Sequence, residues 1–125
     1  MEKKKILHIG TGGTIASEQS ASGLTPELTS EQLLNYIPDI SHYCDVDCLH
    51  LMSLDSTNIT PEHWLMMAQC IRKNYHAYDG FVLTHGTDTM AYTASALTFM
   101  LPNIDLPVVF TGSQLPLADM LSDGP

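Results

Sequence analysis

The sequence predicts an α/β fold: a doubly wound, mainly parallel sheet with helices on both faces, of the Rossmann-like or flavodoxin-like kind. Three observations support this prediction: the predicted strands are short apolar runs, helical segments separate them, and each strand ends in a turn rich in hydroxyl groups. Uninterrupted apolar strands that alternate with helices are typical of a parallel sheet covered on both faces. A chain of 125 residues has room for one such domain.

The first elements surround a polar segment. Residues 4–9 form a short apolar run that leads into glycines, which predicts the first strand. Residues 16–28 are small, polar and rich in turn formers, and we expect a mobile loop there. Residues 29–32, Thr-Ser-Glu-Gln, have the form of a capping box, which predicts a short helix that ends at Pro38.

The rest of the chain repeats the pattern of strand and helix. Residues 46–54 alternate apolar and polar side chains, which predicts a strand. Thr60 and Pro61 suit the N-cap and first position of a helix that runs to about Tyr75. The further predicted elements are a strand at 81–84, a helix at 90–100 with Ala91, Ala94 and Leu97 on one face, and a strand at 107–110.

The charge of the chain disfavours several classes of partner. Five basic residues stand against fourteen acidic ones, which gives a net charge of −9, and residues 74–125 contain no lysine or arginine. Nucleic-acid binding needs a basic surface, so neither a nucleic acid nor an anionic membrane is an expected partner. No apolar run is long enough to cross a bilayer, and the three cysteines, an odd number, suit free thiols in a reducing compartment. We therefore expect a cytoplasmic location.

The chemistry is expected at the strand ends. The turns at residues 10–14, 55–58, 85–89 and 111–114 each follow a predicted strand. In open parallel sheets the ligand crevice lies outside the carboxyl ends of the strands, so these turns converge on one pocket. A dinucleotide fingerprint is excluded by Ile15, where a small residue is needed, and a phosphate-binding loop is excluded because no lysine follows the glycines.

The side chains of this pocket suit a free amino acid. The Asp88 carboxylate suits an ammonium group, and the Ser56 hydroxyl together with backbone N–H groups suits a carboxylate. Thr14 and Thr87 would face the rest of the substrate. A threonine hydroxyl becomes a nucleophile where a base lies nearby and donors stabilise the oxyanion, which the glycines beside Thr14 could supply.

Two motifs resemble a known family. Residues 11–16, Thr-Gly-Gly-Thr-Ile-Ala, and residues 85–90, His-Gly-Thr-Asp-Thr-Met, are similar to the two signature motifs of the bacterial asparaginases, and residues 107–124 are similar to the segment that follows. The resemblance covers nearly the whole chain and is nearest to the cytoplasmic type I branch. It implies hydrolysis of L-asparagine to L-aspartate and ammonia through an acyl-enzyme. It also implies that no metal or cofactor takes part, and that the full-length protein is a homodimer or homotetramer.

The resemblance assigns roles to five residues. Thr14 matches the nucleophilic threonine and Thr87 the second catalytic threonine. Asp88 matches the carboxylate that holds the substrate ammonium, while Asp55 and Ser56 match the substrate-binding pair, with Ser56 on the α-carboxylate.

The chain departs from the family pattern at two places. Leu24 stands where the family usually has a tyrosine beside the nucleophile, so either another hydroxyl, such as that of Thr25, substitutes for it or the activity is weak. The catalytic lysine of the family falls after Pro125, and so does its second domain. We therefore expect residues 1–125 to be an incomplete N-terminal domain, and the activity of this piece alone stays open.

Other interpretations of these residues and of the function stay open. His85 could be a general base, although a histidine before a glycine is more often structural. Asp88 could cap the helix that begins at Met90, and Asp55 with Ser56 could form a turn. A zinc site is suggested by His42, Cys44, Cys48 and His50, but their spacing fits no standard pattern.

Two alternative functions also stay open. They are a glutamine-deaminating subunit of a tRNA-dependent amidotransferase and a non-catalytic amino-acid-binding remnant.

Overall fold

The computed structural model describes residues 3–12, 17–20, 23–26, 35 and 37–112, with the backbone alone described at 17–20 and 23–26. Its centre is a four-stranded parallel sheet formed by β1 (Lys4–Gly10), β4 (Cys44–His50), β5 (Gly80–Thr84) and β6 (Val108–Thr111). Across the sheet these strands lie in the order β4-β1-β5-β6. The α/β prediction is confirmed.

The register of the two central strands brings their carboxyl ends to one level. Gly10, the last residue of β1, pairs with both His50 of β4 and Thr84 of β5. Thr84 also pairs with Thr111 of β6. The four strands therefore end along one edge of the sheet, and the turns that follow them leave from the same side.

Two α-helices follow the predicted pattern. Helix α1 (Pro61–Asn74) has Thr60 as its N-cap and proline at its first turn, and the Thr60 backbone N–H donates to Nδ1 of His63 at 2.9 Å. Helix α2 spans Met90–Met100, as predicted. Short 3-10 helices lie at Pro38–His42, Ser56–Asn58 and Tyr75–Ala77. Among the described residues, no helix is long and apolar enough to span a membrane.

The core lies between the sheet and these helices. Successive side chains of a strand point to opposite faces. Leu7 and Ile9 of β1 share one face, and Phe81 and Leu83 are their partners in β5. These four side chains are buried in one cluster with residues of both helices: Met67, Ala68, Cys70, Ile71 and Leu97. Burial of the α1 residues in this cluster, more than their helix propensity, stabilises that helix against the sheet.

The structure corrects the prediction for residues 16–28. Instead of a loop throughout, two short strands, β2 (Ser17–Ser20) and β3 (Gly23–Pro26), pair antiparallel, with Gln19 opposite Leu24. The segment lacks an alternation of apolar and polar residues, so its sequence pattern does not indicate strands. The two strands are instead paired through their backbones. The helix expected from residues 29–32 to Pro38 lies mostly outside the described residues.

The boundaries of all four strands in the parallel sheet differ from the prediction: β1 ends one residue later, at Gly10, and β5 begins one residue earlier, at Gly80. The expected strand at residues 46–54 is observed at Cys44–His50, because its partner β1 ends at Gly10. Beyond that point the N–H groups of Leu51 and Met52 both donate to the Gly10 carbonyl, at 2.9 and 3.2 Å. The ladder stops there although the alternation of the sequence continues. The last strand begins and ends one residue later than predicted, at Val108–Thr111.

His8 is a buried titratable group inside the sheet. It lies on the opposite face of β1 from Leu7 and Ile9, is 4% exposed, and has Nε2 3.2 Å from Oγ1 of Thr84. Its Nδ1 has no hydrogen-bond partner among the described residues. Burial disfavours the charged imidazolium and lowers the pKa of His8 from 6.5 to about 4.

Acid should therefore destabilise the fold through His8. Between pH 6.5 and about 4 the unfolded chain binds a proton on His8 that the folded chain does not bind. The free energy of unfolding should fall as the pH is lowered through this window, by about 3 kcal/mol from this group. Urea unfolding at several pH values measures the slope, which should become shallower in His8→Gln than in the unmodified chain. An unchanged slope in His8→Gln would contradict the assignment.

Candidate active site

Backbone hydrogen bonds join the turns at the carboxyl edge of the sheet. Thr11, directly after β1, donates its N–H to the Thr84 carbonyl at 3.1 Å and its Oγ1–H to the same oxygen at 2.6 Å. The Thr11 carbonyl accepts the Leu54 N–H at 3.0 Å, and the His85 N–H donates to the Thr111 carbonyl at 2.9 Å. These bonds join the turns that follow β1 and β4, and they fix the first residues after β1 and β5 to the ends of the neighbouring strands.

Gly12 allows the first of these turns to approach the second. Its φ of 104° lies in the region that favours glycine. A Cβ there would lie 2.6 Å from both the backbone nitrogen and the backbone oxygen of Leu54. Gly12 therefore lies directly against Leu54, the residue that precedes Asp55 and Ser56.

Gly86 brings the Ser56 turn into contact with the turn after β5. A Cβ at Gly86 would lie 2.6 Å from Cβ, 2.7 Å from Oγ and 3.1 Å from the backbone nitrogen of Ser56. Thr89 adds a direct bond, since its Oγ1 donates to the Ser56 carbonyl at 2.7 Å. The two turns that hold the predicted binding residues are therefore one packed unit.

Ser56 is buried, while its neighbour Asp55 is exposed. Ser56 is 2% exposed, and its Oγ has no hydrogen-bond partner among the described residues. Asp55 is the N-cap of the 3-10 helix Ser56–Asn58, and its Oδ1 accepts from the backbone N–H and from Oγ1 of Thr57, both at 3.1 Å. The expected turn-forming role of Asp55 is therefore observed.

Thr87 and Asp88 follow Gly86 in the same turn. Thr87 is half-buried, and Asp88 is exposed. Thr87 lies near the end of β6, since a Cβ at Gly112 would be 3.3 Å from its Cγ2. Asp88 is not the helix cap, which corrects that expectation: the N-cap of α2 is Thr89.

Four of the five predicted site residues lie in the described part of the chain. The structure brings together Asp55, Ser56, Thr87 and Asp88 through the contact between the two turns. Thr14 lies outside the described residues, so its role stays a prediction. Leu24 is described by its backbone alone, as a residue of β3.

His85 makes hydrogen bonds with both of its ring nitrogens. It is 1% exposed; Nδ1 lies 2.7 Å from the Gly86 carbonyl oxygen, and Nε2 lies 2.9 Å from Oγ1 of Thr93. Burial lowers the pKa of His85, against a smaller opposing effect of the bond to Gly86. A neutral ring with both nitrogens engaged has a structural role and is not placed to act as a general base.

The sequence patterns assigned no role to three residues that contact the turns of the candidate site or hold His85: Thr93, Trp64 and Thr89. Oγ1 of Thr93 also accepts the Nε1–H of Trp64 at 2.9 Å. On α2 the buried residues are Thr93 and Leu97, whereas Ala91 is exposed, which corrects the expected helix face. The one available signal was a threonine at helical spacing from Leu97 on an otherwise apolar face.

The charges near the site are acidic. Three described cations make contacts away from this edge: Lys3 donates to the Ser41 carbonyl at 2.6 Å, Lys5 lies 3.5 Å from Asp47, and Arg72 donates to the Met100 carbonyl. Among the described residues, no three histidine, cysteine, aspartate or glutamate side chains are grouped so as to hold a metal ion. His42, Cys44, Cys48 and His50 are therefore not a metal cluster.

The fold and this edge define a class: an α/β domain with hydroxyl-bearing turns at the carboxyl ends of its parallel strands, which is where open α/β sheets bind their ligands. Comparison with known proteins gives the family. Residues 5–125 match the family model described as Asparaginase, N-terminal. The chain belongs to the asparaginase family.

Two curated relatives show the range within this family. The chain is 46% identical over 130 residues to L-asparaginase 1 of Escherichia coli strain K12, an alignment that covers 99% of this chain and 38% of that protein. It is 44% identical over 115 residues to a glutamyl-tRNA(Gln) amidotransferase subunit of Saccharolobus islandicus strain L.S.2.15, covering 90% of this chain and 26% of that protein. The chain thus spans less than two-fifths of the length of these relatives.

Solved structures agree with the fold. The thermostable L-asparaginase from Thermococcus kodakarensis superimposes with a TM-score of 0.88 at 42% identity, over 97% of this chain and 37% of that one. The probable cytoplasmic L-asparaginase from Campylobacter jejuni gives a TM-score of 0.87 at 35% identity, over 98% of this chain and 37% of that one.

The contact at Gly86 gives a test of the site geometry. Gly86→Ala should destabilise the fold by about 1–3 kcal/mol, because the added methyl meets both the side chain and the backbone of Ser56. Gly80→Ala is the matched control, since its nearest neighbours are side-chain atoms of Pro107 and Ile6 at 3.1 and 3.3 Å, and its loss should be smaller. Urea unfolding of both variants measures the difference, and equal losses would contradict the close approach.

Proposed function

We propose that the complete gene product containing these residues hydrolyses L-asparagine to L-aspartate and ammonia. The observation that carries the proposal is the packing of Ser56 against Gly86, which joins the two predicted binding pairs at one crevice. Family membership over residues 5–125 supports the same reaction. The curated relative named L-asparaginase 1 supports the choice of substrate.

The proposed site holds the zwitterionic end of the substrate with groups of opposite character. The Ser56 hydroxyl, buried and without a partner among the described residues, donates to the α-carboxylate. The Asp88 carboxylate binds the α-ammonium, and Asp55 assists by fixing the turn that carries Ser56. A buried hydroxyl on a carboxylate makes a charge-assisted hydrogen bond, which is stronger than a neutral one.

The proposed reaction has two covalent steps. The Thr14 oxygen adds to the side-chain amide carbon, the C–N bond breaks, and the nitrogen leaves as ammonia with the proton that Thr14 loses. Water then adds to the resulting ester carbon, the bond to the Thr14 oxygen breaks, and aspartate leaves. Thr87 is the second catalytic threonine, and no metal or cofactor is needed for this chemistry.

The setting of the enzyme is part of the proposal. We infer a cytoplasmic location, which is supported by the similarity to the Campylobacter jejuni protein described as probable cytoplasmic. We also infer assembly as a homodimer or homotetramer. The small-molecule substrate is the expected partner, and neither nucleic acid nor membrane is.

Ammonia release tests the proposal. The complete gene product should release ammonia from asparagine with a higher kcat/KM than from glutamine. Thr14→Ala should lower kcat for ammonia release by about a thousandfold or more, because the nucleophile is lost, while aspartate still binds. Aspartate binding is measured by calorimetry.

Each other outcome of this assay supports an alternative. A preference for glutamine favours an amidotransferase subunit, in agreement with the name of the Saccharolobus islandicus relative. Binding of aspartate without ammonia release from either amide favours a non-catalytic binding protein. Full activity of Thr14→Ala would overturn the assignment of the nucleophile.

The role of Ser56 has a test of its own. Ser56→Ala should raise KM for asparagine about tenfold or more with a smaller change in kcat, because a hydrogen bond to a charged group is lost in both ground and transition states. Ser53→Ala is the matched control, since that serine is exposed and its Oγ bonds to Nε2 of His50 at 2.6 Å. Steady-state kinetics decide the question, and an unchanged KM in Ser56→Ala would refute the carboxylate contact.

A further inference from the structure

Thr93 makes an unusual use of its hydroxyl for a threonine inside a helix. A threonine in a helix commonly bonds back to the carbonyl four residues earlier. Thr98 in the same helix does so, since its Oγ1 donates to the Ala94 carbonyl at 2.8 Å. The Thr93 hydroxyl is fully buried and instead lies 2.9 Å from His85 Nε2 and 2.9 Å from Trp64 Nε1.

The donor at one end, the acceptor at the other and a neutral His85 ring, whose pKa burial lowers, together set the direction of every hydrogen bond in this series of contacts. The indole Nε1–H of Trp64 can only donate, and the Gly86 carbonyl can only accept. Thr93 Oγ1 therefore accepts from Trp64, and His85 Nδ1–H donates to Gly86. The bond left between them runs from the Thr93 hydroxyl to an unprotonated Nε2 of His85.

The last of these contacts lies in the candidate active site. The Gly86 carbonyl, which His85 holds at 2.7 Å, is the first backbone acceptor in the turn that carries Thr87 and Asp88. Gly86 is also the residue packed against Ser56. We therefore expect a change in the ring of His85 to shift the turn of Thr87 and Asp88 and its contact with Ser56.

We propose that Thr93 is a positioning residue whose buried hydroxyl, held by Trp64, fixes His85 in the neutral Nδ1–H tautomer and so fixes the turn of Gly86, Thr87 and Asp88. This role goes beyond the substrate contacts and rests on the proposed function for its kinetic effect. Helix α1, through Trp64, and helix α2, through Thr93, are thereby coupled to the site without touching the substrate.

The test removes the hydroxyl while preserving the shape of the side chain. In the complete gene product, Thr93→Val should lower kcat/KM for asparagine by about tenfold to a hundredfold, as a displacement of catalytic groups by a fraction of an ångström does. Thr93→Ser, which restores the hydroxyl, should recover activity to within about threefold. Thr98→Val is the matched control on the same helix and should stay within about twofold.

A spectroscopic readout separates positioning from simple stability. In ¹⁵N NMR spectra, His85 should show one protonated Nδ1 and one unprotonated Nε2, and Thr93→Val should produce a mixture of tautomers together with shifts of the Gly86–Asp88 amides. Kinetics measured well below the melting temperature should show the loss of kcat/KM. An unchanged tautomer or an unchanged kcat/KM in Thr93→Val would overturn the proposal.

Two further outcomes also decide it. If Thr93→Val does not fold, Trp64→Phe removes only the indole donor and should lower kcat/KM severalfold with exchange between tautomers of His85; wild-type values for both would overturn the proposal. If the complete gene product releases no ammonia, the proposed function fails. The His85 and Gly86–Asp88 resonances of Thr93→Val then still show whether Thr93 fixes the turn, and unmoved resonances would overturn that role.

Discussion

The carbonyl of Thr84 is the point from which the geometry of this edge follows. It is the last carbonyl of a central strand, and it accepts both the N–H and the hydroxyl of Thr11, the first residue beyond the other central strand. Because β1 and β5 are parallel and end at paired residues, Gly10 and Thr84, their turns begin at the same height. Two segments distant in sequence can then contribute to one small crevice, which is the property that parallel sheets offer to ligand-binding proteins.

The helices do more than cover the sheet, because α2 holds two of the turns from behind. Thr89 at its start bonds to the Ser56 carbonyl, and Thr93, one helical turn later, bonds to His85. The N-cap of α2 and a residue in its first turn thus bond to both turns. A buried hydroxyl destabilises the fold when it has no hydrogen-bond partner. When it is paired, the geometry of its hydrogen bond favours a single conformation of the loop that it contacts.

The sequence predicted those features that depend on local pattern. Thr60 and Pro61 mark the start of α1, and apolar runs locate β1, β5 and β6, because cap chemistry and burial act on neighbouring residues. It did not predict the pairing of β2 with β3, which needs no apolar pattern, nor the early end of β4, which depends on where β1 ends. The contact between the turns was predicted from the parallel topology. The hydrogen bond from Trp64 to Thr93 was not, because it joins residues 29 positions apart and no local or periodic pattern of the sequence indicates it.

Two buried polar atoms without partners among the described residues show how stability and ligand binding are balanced here. His8 Nδ1 and Ser56 Oγ each carry a desolvation cost, but they lie in different settings. His8 is inside the sheet, where neutrality of the ring limits that cost. Ser56 packs against Gly86, and in the proposed complex a hydrogen bond to the substrate carboxylate offsets the desolvation cost of its buried hydroxyl. On that proposal the turns around Ser56 gain stability when the substrate binds, because the substrate satisfies a polar atom that has no partner among the described residues.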